Sequence, residues 1–261
     1  MNDAVLLDVE DGIAAIRFNR PERLNALSLE VVRAFSDATE RAISDPSVRV
    51  IVLSGEGRAF MAGGDLKHFH DARDRSRAAD ELIAPMHAAL KRLADAPQIS
   101  IGALHGPVAG AGMSIALNLD LAIAASSTVM HFAYSEVGAS PDCGGSWGLP
   151  RLVGLRRAMQ IALLANSISA EEALALGLVG RVVADEDLPS EIRSLAERLM
   201  RGSPTAQSAT KRLMRQALQR SFADQLDAEA TAFSECAVTE DFNLAVETFF
   251  NRGKTVPSQN A

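Results

Sequence analysis

Two short runs near the start of the chain, Val5–Val9 and Ile13–Phe18, carry apolar residues at strand spacing. Asp11-Gly12 between them is a hairpin turn signal. Asn19-Arg20-Pro21-Glu22 breaks the second run. Ser28 can cap a helix reaching to about Ile43, whose Val31, Val32, Phe35, Ala38 and Ala42 follow helical spacing. Val48–Leu53 is almost wholly apolar, as a buried parallel strand is, and Ser54-Gly55-Glu56-Gly57 ends it. Residues 65–80 are polar, with His68, His70, Asp71, Arg73, Asp74, Arg75 and Arg77, and read as a solvated, mobile segment. A helix is expected from about Asp80 to Ala94, a strand over Ile99–Leu104, a helix over Met113–Leu117 and a buried strand over Asp120–Ala125. This alternation predicts a layered α/β core. Beyond Gly144 only Val179–Val183 looks extended, and residues 186–250 read as helices broken at Gly202-Ser203-Pro204 and Ser221. No internal repeat stands out.

Composition narrows the class. The 261 residues are 48% hydrophobic and 23% charged, enough to bury a sizeable core. The formal charge of −7 and the lack of a basic stripe argue against a nucleic-acid partner. Cys143 and Cys236 are the only cysteines and stand far apart, so neither a disulfide framework nor a zinc pair is expected. The acidic N-terminal stretch, with Asp3, Asp8, Glu10 and Asp11, does not resemble a signal peptide. No run of about 18 apolar residues predicts a membrane span. A soluble, cytoplasmic α/β protein is the expectation.

Two glycine-rich turns carry the chemistry. Phe60-Met61-Ala62-Gly63-Gly64-Asp65-Leu66 follows one strand; Gly106-Pro107-Val108-Ala109-Gly110-Ala111-Gly112 follows another and opens a helix. Small residues let backbone approach a ligand closely, and a helix start leaves peptide N–H groups unpaired. Two such turns side by side can aim two donors at one oxygen, forming an oxyanion hole. Each turn alone also reads as an ordinary tight turn. Neither is a dinucleotide or Walker site. His68 and His70 show no metal-ligand spacing, His105 reads as structural, and Cys143 has no base beside it.

The order of Arg17-Phe18-Asn19-Arg20-Pro21, Asn25-Ala26-Leu27, Gly57 through Leu66, His105 through Gly112, and Pro141-Asp142-Cys143-Gly144-Gly145 resembles the crotonase superfamily, the enoyl-CoA hydratase/isomerase family. The likeness continues through Leu149-Pro150-Arg151-Leu152-Val153-Gly154 and from Ala170 to Val183. It implies an α/β fold of spiralling ββα turns over residues 1–185, holding a site for a CoA thioester, and a helical oligomerisation region over residues 186–261. It further implies homotrimers or dimers of trimers, and no cofactor apart from the coenzyme A of the substrate. By resemblance the thioester oxygen lies between the N–H groups of Gly64 and Ala111, and Ala62 offers its carbonyl to the adenine amine. Arg23 and Arg58 match basic positions near the nucleotide, whose phosphates suit arginine. Phe233 and Arg252 match positions that reach a neighbouring subunit's CoA. Asp65, Leu66, Ser114, Tyr134 and Trp147 are expected to contact substrate.

The carboxylates divide the family. A hydratase of this kind uses two glutamates; the matching positions here are Ser114 and Tyr134, unless a two-residue gap admits Glu136. Asp142 remains, at a position that resembles the acidic residue of certain enoyl-CoA isomerases. A lone base suffices for a 1,3-proton shift, since one proton leaves and the same proton returns. The other reading of Asp142 is a cap for the helix entered at Gly144. The leading expectation is an enoyl-CoA isomerase. The competing expectations are an enoyl-CoA hydratase, a CoA-thioester dehalogenase or hydrolase in which Asp142 attacks as a nucleophile, and a non-catalytic acyl-CoA binder.

Overall fold

The computed structural model describes residues 3–251. Two compact units divide the chain, residues 1–199 and 200–261.

The first unit begins with a hairpin, β1 (Val5–Glu10) and β2 (Ile13–Phe18). Asp11 (φ 50°) and Gly12 (φ 77°) make its two-residue turn, the left-handed pair that matches strand twist. The strands pair antiparallel from Glu10 opposite Ile13 to Val5 opposite Phe18. Ala14, Ile16 and Phe18 of β2 face the core and alternate with half-buried residues. α1 (Leu29–Ser44) starts where Ser28 Oγ accepts from the Val31 N–H at 3.3 Å. Its Phe35 ring lies 5.4 Å from that of Phe18. β3 (Val50–Gly55) and β4 (Ile99–Leu104) are the continuous apolar runs expected of strands covered on both faces.

The polar stretch 65–80 corrects the expectation of a solvated, mobile segment. It forms α2 (Leu66–Asp71) and the start of α3 (Arg75–Asp95). Asp65 and Asp74 cap these helices, accepting from the Lys67 and Arg77 N–H groups at 3.2 and 3.1 Å. The charges that hid the helical period lie on solvent-facing positions. His68 and His70 are bound locally, to the Ala78 carbonyl and the Asp71 carboxylate.

The rest of the unit comprises β5 (Pro107–Ala109), α4 (Ala111–Ala116), β6 (Leu121–Ala125), β7 (Val129–His131), α5 (Gly145–Val153), α6 (Leu155–Leu164), β8 (Ile168–Ser169), α7 (Ala170–Ala175), β9 (Arg181–Val183) and α8 (Leu188–Met200). The main sheet runs β1-β2-β3-β4-β6-β9, parallel except for the hairpin. A smaller sheet runs β5-β7-β8. Met61 bridges Val108, Val108 pairs with Met130, and Met130 with Ile168. One rung therefore comes from each successive turn of the chain. A core strand, a short strand in this second ladder and a helix repeat as β4-β5-α4, which is a spiral of ββα turns. The ladder strands β5, β7 and β8 were not expected from sequence; at two or three residues each they are too short to show a period.

The second unit holds α9 (Pro204–Gln216), α10 (Phe222–Ala237) and α11 (Glu240–Asn251). Ser221 Oγ caps α10 at the Asp224 N–H, Arg212 and Glu235 tie α9 to α10 at 3.0 Å, and Phe233 meets Phe242 edge to face. Large apolar side chains stay exposed: Leu218 73%, Phe222 80%, Phe233 65%, Phe249 72%. No helix among the described residues is long and apolar enough to cross a membrane.

Candidate active site

Asn25 builds the approach to the first glycine turn. It is fully buried in a left-handed backbone conformation (φ 58°). Its amide donates to the carbonyls of Glu56, Ala59 and Phe60, at 3.0, 2.7 and 3.3 Å, and accepts from the Arg20 N–H at 2.8 Å. One side chain thus fastens the loop after β2 to the loop after β3. Asn25→Ala orphans several buried backbone groups, so a loss of about 2–4 kcal/mol is expected, read as a lower urea midpoint.

The first turn then runs beside Leu27. Leu27 N–H donates to the Gly63 carbonyl and Asp65 N–H donates to the Leu27 carbonyl. In a parallel bridge of this kind the middle residue, Gly64, points its own N–H away from the partner strand. The second turn is packed against the first. Gly63 (φ 100°) and Gly110 (φ 50°) stand back to back, and a Cβ on Gly110 would meet the Gly63 Cα at 3.5 Å. A Cβ on Gly112 would lie 2.4 Å from the Met61 carbonyl oxygen, so only glycine allows this approach. Among the described residues neither the Gly64 nor the Ala111 N–H donates to a protein acceptor. Two free donors therefore flank the Gly63–Gly110 contact.

One turn of α4 beyond Ala111, about 5 Å along the axis, is Ser114. It is fully buried, and its Oγ lies 2.9 Å from the Tyr134 hydroxyl. Tyr134 in turn donates to Asp142 Oδ1 in a short hydrogen bond. Ser114, Tyr134 and Asp142 thus form one cluster from three separate segments. Burial and the Asp142 charge push the Tyr134 phenol well above its ordinary value. The same two causes raise the Cys143 thiol, which fits a buried structural cysteine.

Asp142 does not cap α5. The cap residue is Gly144, no side chain bonds there, and the Asp142 carboxylate turns to Tyr134 instead. Its loop is held in consecutive left-handed residues, Cys143 (φ 48°) and Gly144 (φ 78°). A non-glycine residue in that region costs energy and persists only where surroundings enforce it. Here His87 of α3 accepts the Cys143 N–H at Nε2, 3.0 Å, and Asn118 Nδ2 donates to the Cys143 carbonyl at 3.3 Å. Neither His87 nor Asn118 carries a sequence signal, because the Cys143 backbone groups that they hold lie 56 and 25 positions away; Asn118 also donates to the Ser114 carbonyl at 2.7 Å. Glu136 is bound by His131 Nε2 at 2.9 Å on the surface, and none of its hydrogen bonds among the described residues reaches Ser114, Tyr134 or Asp142.

The remaining sequence candidates are dispersed. Arg23 and Arg58 are exposed. Ala62 donates its N–H to the Leu24 carbonyl, and its own carbonyl has no partner among the described residues. Asp65 is occupied by the α2 cap and by Arg20 at 3.3 Å. Leu66 is exposed. Trp147, on α5, carries the Arg151 guanidinium 3.9 Å above its ring. Phe233 belongs to the second unit, and Arg252 lies outside the described residues. No group of three or more His, Cys, Asp or Glu suited to a metal occurs among the described residues.

The ββα spiral with two glycine turns in contact is a crotonase-class fold. Residues 8–260 match the enoyl-CoA hydratase/isomerase family model, and the chain belongs to that family. It is 34% identical to the 1,2-epoxyphenylacetyl-CoA isomerase of Escherichia coli, over 95% of this chain and 96% of that one. It is 36% identical to a probable enoyl-CoA hydratase of Rhodobacter capsulatus, over 94% of each chain. The crystal structure of a putative enoyl-CoA hydratase from Thermobifida fusca, in complex with acetoacetyl-CoA, superposes with a TM-score of 0.84 at 30% identity, covering 91% of this chain and 96% of that one.

Proposed function

We propose that the protein shifts a carbon–carbon double bond in an enoyl-CoA thioester through a dienolate intermediate. The observation that carries this reading is the solitary carboxylate of Asp142, bonded by Tyr134, which Ser114 links to α4 one helical turn from the free Ala111 N–H. Asp142 removes a proton beside the unsaturation and returns it two carbons away. The Gly64 and Ala111 N–H groups bear the charge that develops on the thioester oxygen. Adding water would call for a paired acid and base, and the two positions where the family's hydratases carry glutamates hold Ser114 and Tyr134. The exposed Arg23 and Arg58 suit the CoA phosphates, and the unpaired Ala62 carbonyl suits the adenine amine. Leu66 and Trp147 suit the acyl chamber wall. The resemblance to an isomerase acting on a CoA thioester, and to a fold bound to acetoacetyl-CoA, supports the substrate class.

The test is a parallel incubation with 3-enoyl-CoA and 2-enoyl-CoA, reading products by mass and NMR. An isomer of unchanged mass is the expected product. A gain of one water assigns a hydratase and overturns the reading.

The working form is a homotrimer or a dimer of trimers, in which Phe233 and Arg252 complete the CoA site of a neighbouring chain. The exposed phenylalanines of α10 and α11 support this, because apolar patches of that size usually mark an interface. Light scattering at micromolar concentration is expected to give a mass of three or six 27.7 kDa chains. A single-chain mass with full activity rules out the shared site.

A further inference from the structure

A carboxylate that takes a proton from one carbon and delivers it to another must hold that proton and keep its orientation between the two events. The Asp142 backbone is fixed by the left-handed turn at Cys143 and Gly144 and by the bonds from His87 and Asn118. The Asp142 side chain still has two torsions; Tyr134 donates to its Oδ1, and the neighbouring Cys143 thiol also bonds the carboxylate.

The direction of the hydrogen-bond chain follows from counting protons. An ionised carboxylate only accepts, and a phenol has one proton to give. That proton goes to Asp142 Oδ1, so the 2.9 Å contact between Ser114 Oγ and the Tyr134 oxygen needs the Ser114 proton. The order is Ser114 O–H to Tyr134 O–H to Asp142. Packing keeps the Ser114–Tyr134 part of this chain dry, while Asp142 is half-buried. Ser114 is fully buried, and the Phe132 ring lies 5.1 Å from that of Tyr134, edge to face. A Cβ on Gly145 would fall 2.3 Å from Ser114 Oγ and 2.9 Å from Phe132 Cζ, so no water fits between them.

We propose that Tyr134 is a positioning residue: oriented by Ser114, it clamps one oxygen of Asp142, which fixes the base toward the substrate and shields the transferred proton from exchange with water. The inference rests on the isomerase reading and adds to it a means of internal proton return. Burial and the nearby Asp142 charge hold the phenol proton firmly, in keeping with a residue that stays neutral through the cycle.

Two measurements on the full-length protein test it. In D2O with a 3-enoyl-CoA, wild-type product is expected to retain mostly the substrate's own hydrogen. Tyr134→Phe keeps the ring and removes the clamp. It is expected to lower kcat roughly 10- to 100-fold, the scale of a lost hydrogen bond to a charge, with little change in KM. Its product carries several-fold more solvent deuterium. The deuterium fraction is a ratio, so it is unaffected by how much of the variant folds. Ser114→Ala shifts the same ratio in the same direction by a smaller factor. Equal deuterium fractions and equal kcat for wild type and Tyr134→Phe overturn the proposal.

The second measurement needs no substrate. Tyr134 is the single tyrosine of the chain, so the tyrosinate absorbance band reports it alone. Asp142→Asn is expected to lower the pH at which that band appears, while burial still holds it above the ordinary tyrosine range. An unchanged titration overturns the clamp. A wild type that leaves enoyl-CoA unaltered overturns the proposed function instead, and this titration still decides whether Tyr134 and Asp142 are coupled.

Discussion

Asp142→Asn is expected to lower isomerase kcat by about 10²–10⁴-fold, the loss typical of a positioned base. The amide keeps the size of the side chain and can still accept from Tyr134, so the loop is preserved while basicity is lost. Glu136→Gln serves as the contrast. Its carboxylate is bound on the surface by His131, so turnover near the wild-type value is expected. Steady-state kinetics on one enoyl-CoA, with circular dichroism as the folding control, decides between them. Full turnover in Asp142→Asn together with its loss in Glu136→Gln would show that the base has been assigned to the wrong carboxylate.

Ala111→Pro is expected to lower kcat by about 10²–10³-fold, as deletion of one oxyanion donor does. The position suits the test. Ala111 is the first residue of α4, where proline's fixed φ matches the helix and no intrahelical bond is lost. Gly64→Pro removes the partner donor as well, but at a residue bridged to Leu27, where the fold itself is disturbed. An Ala111→Pro enzyme of native circular dichroism and unreduced kcat would show that the thioester oxygen is not bound by this N–H.

Much of this architecture can be read from the residues because the local signals are strong. The Asp11-Gly12 hairpin, the Ser28 cap and the apolar runs of β3 and β4 have no competing pattern. The glycine turns announce themselves by spacing, and Asp142, Ser114 and Tyr134 each stand out singly. Their union does not, since a bond between positions 134 and 142 depends on a left-handed turn that no periodicity encodes. His87 is hidden in the same way: its partner is a backbone N–H 56 residues on. The helices of 66–80 were concealed by their charges, although Asp65 and Asp74 sat in capping positions throughout. The spiral is hidden for a different reason. Its rungs at Met61, Val108, Met130 and Ile168 are unevenly spaced, so the repeat exists in space without a period in sequence.

That uneven spacing separates what can vary from what cannot. The rungs at Met61 and Val108 are directly bridged, so the chain between them is an excursion that leaves and rejoins the same ladder. α2 and α3 lie wholly within it. Recomposing α2 and the first turn of α3 is expected to reshape the surface beside Leu66 without moving Gly64 relative to Ala111, provided His87 keeps its bond to Cys143. A scaffold of this kind can acquire new acyl preferences by trading one loop while its electrostatic centre stays in place. Directed libraries confined to residues 66–77, which spare His87 and its hold on the Asp142 loop, are therefore expected to be the economical route to a changed substrate range.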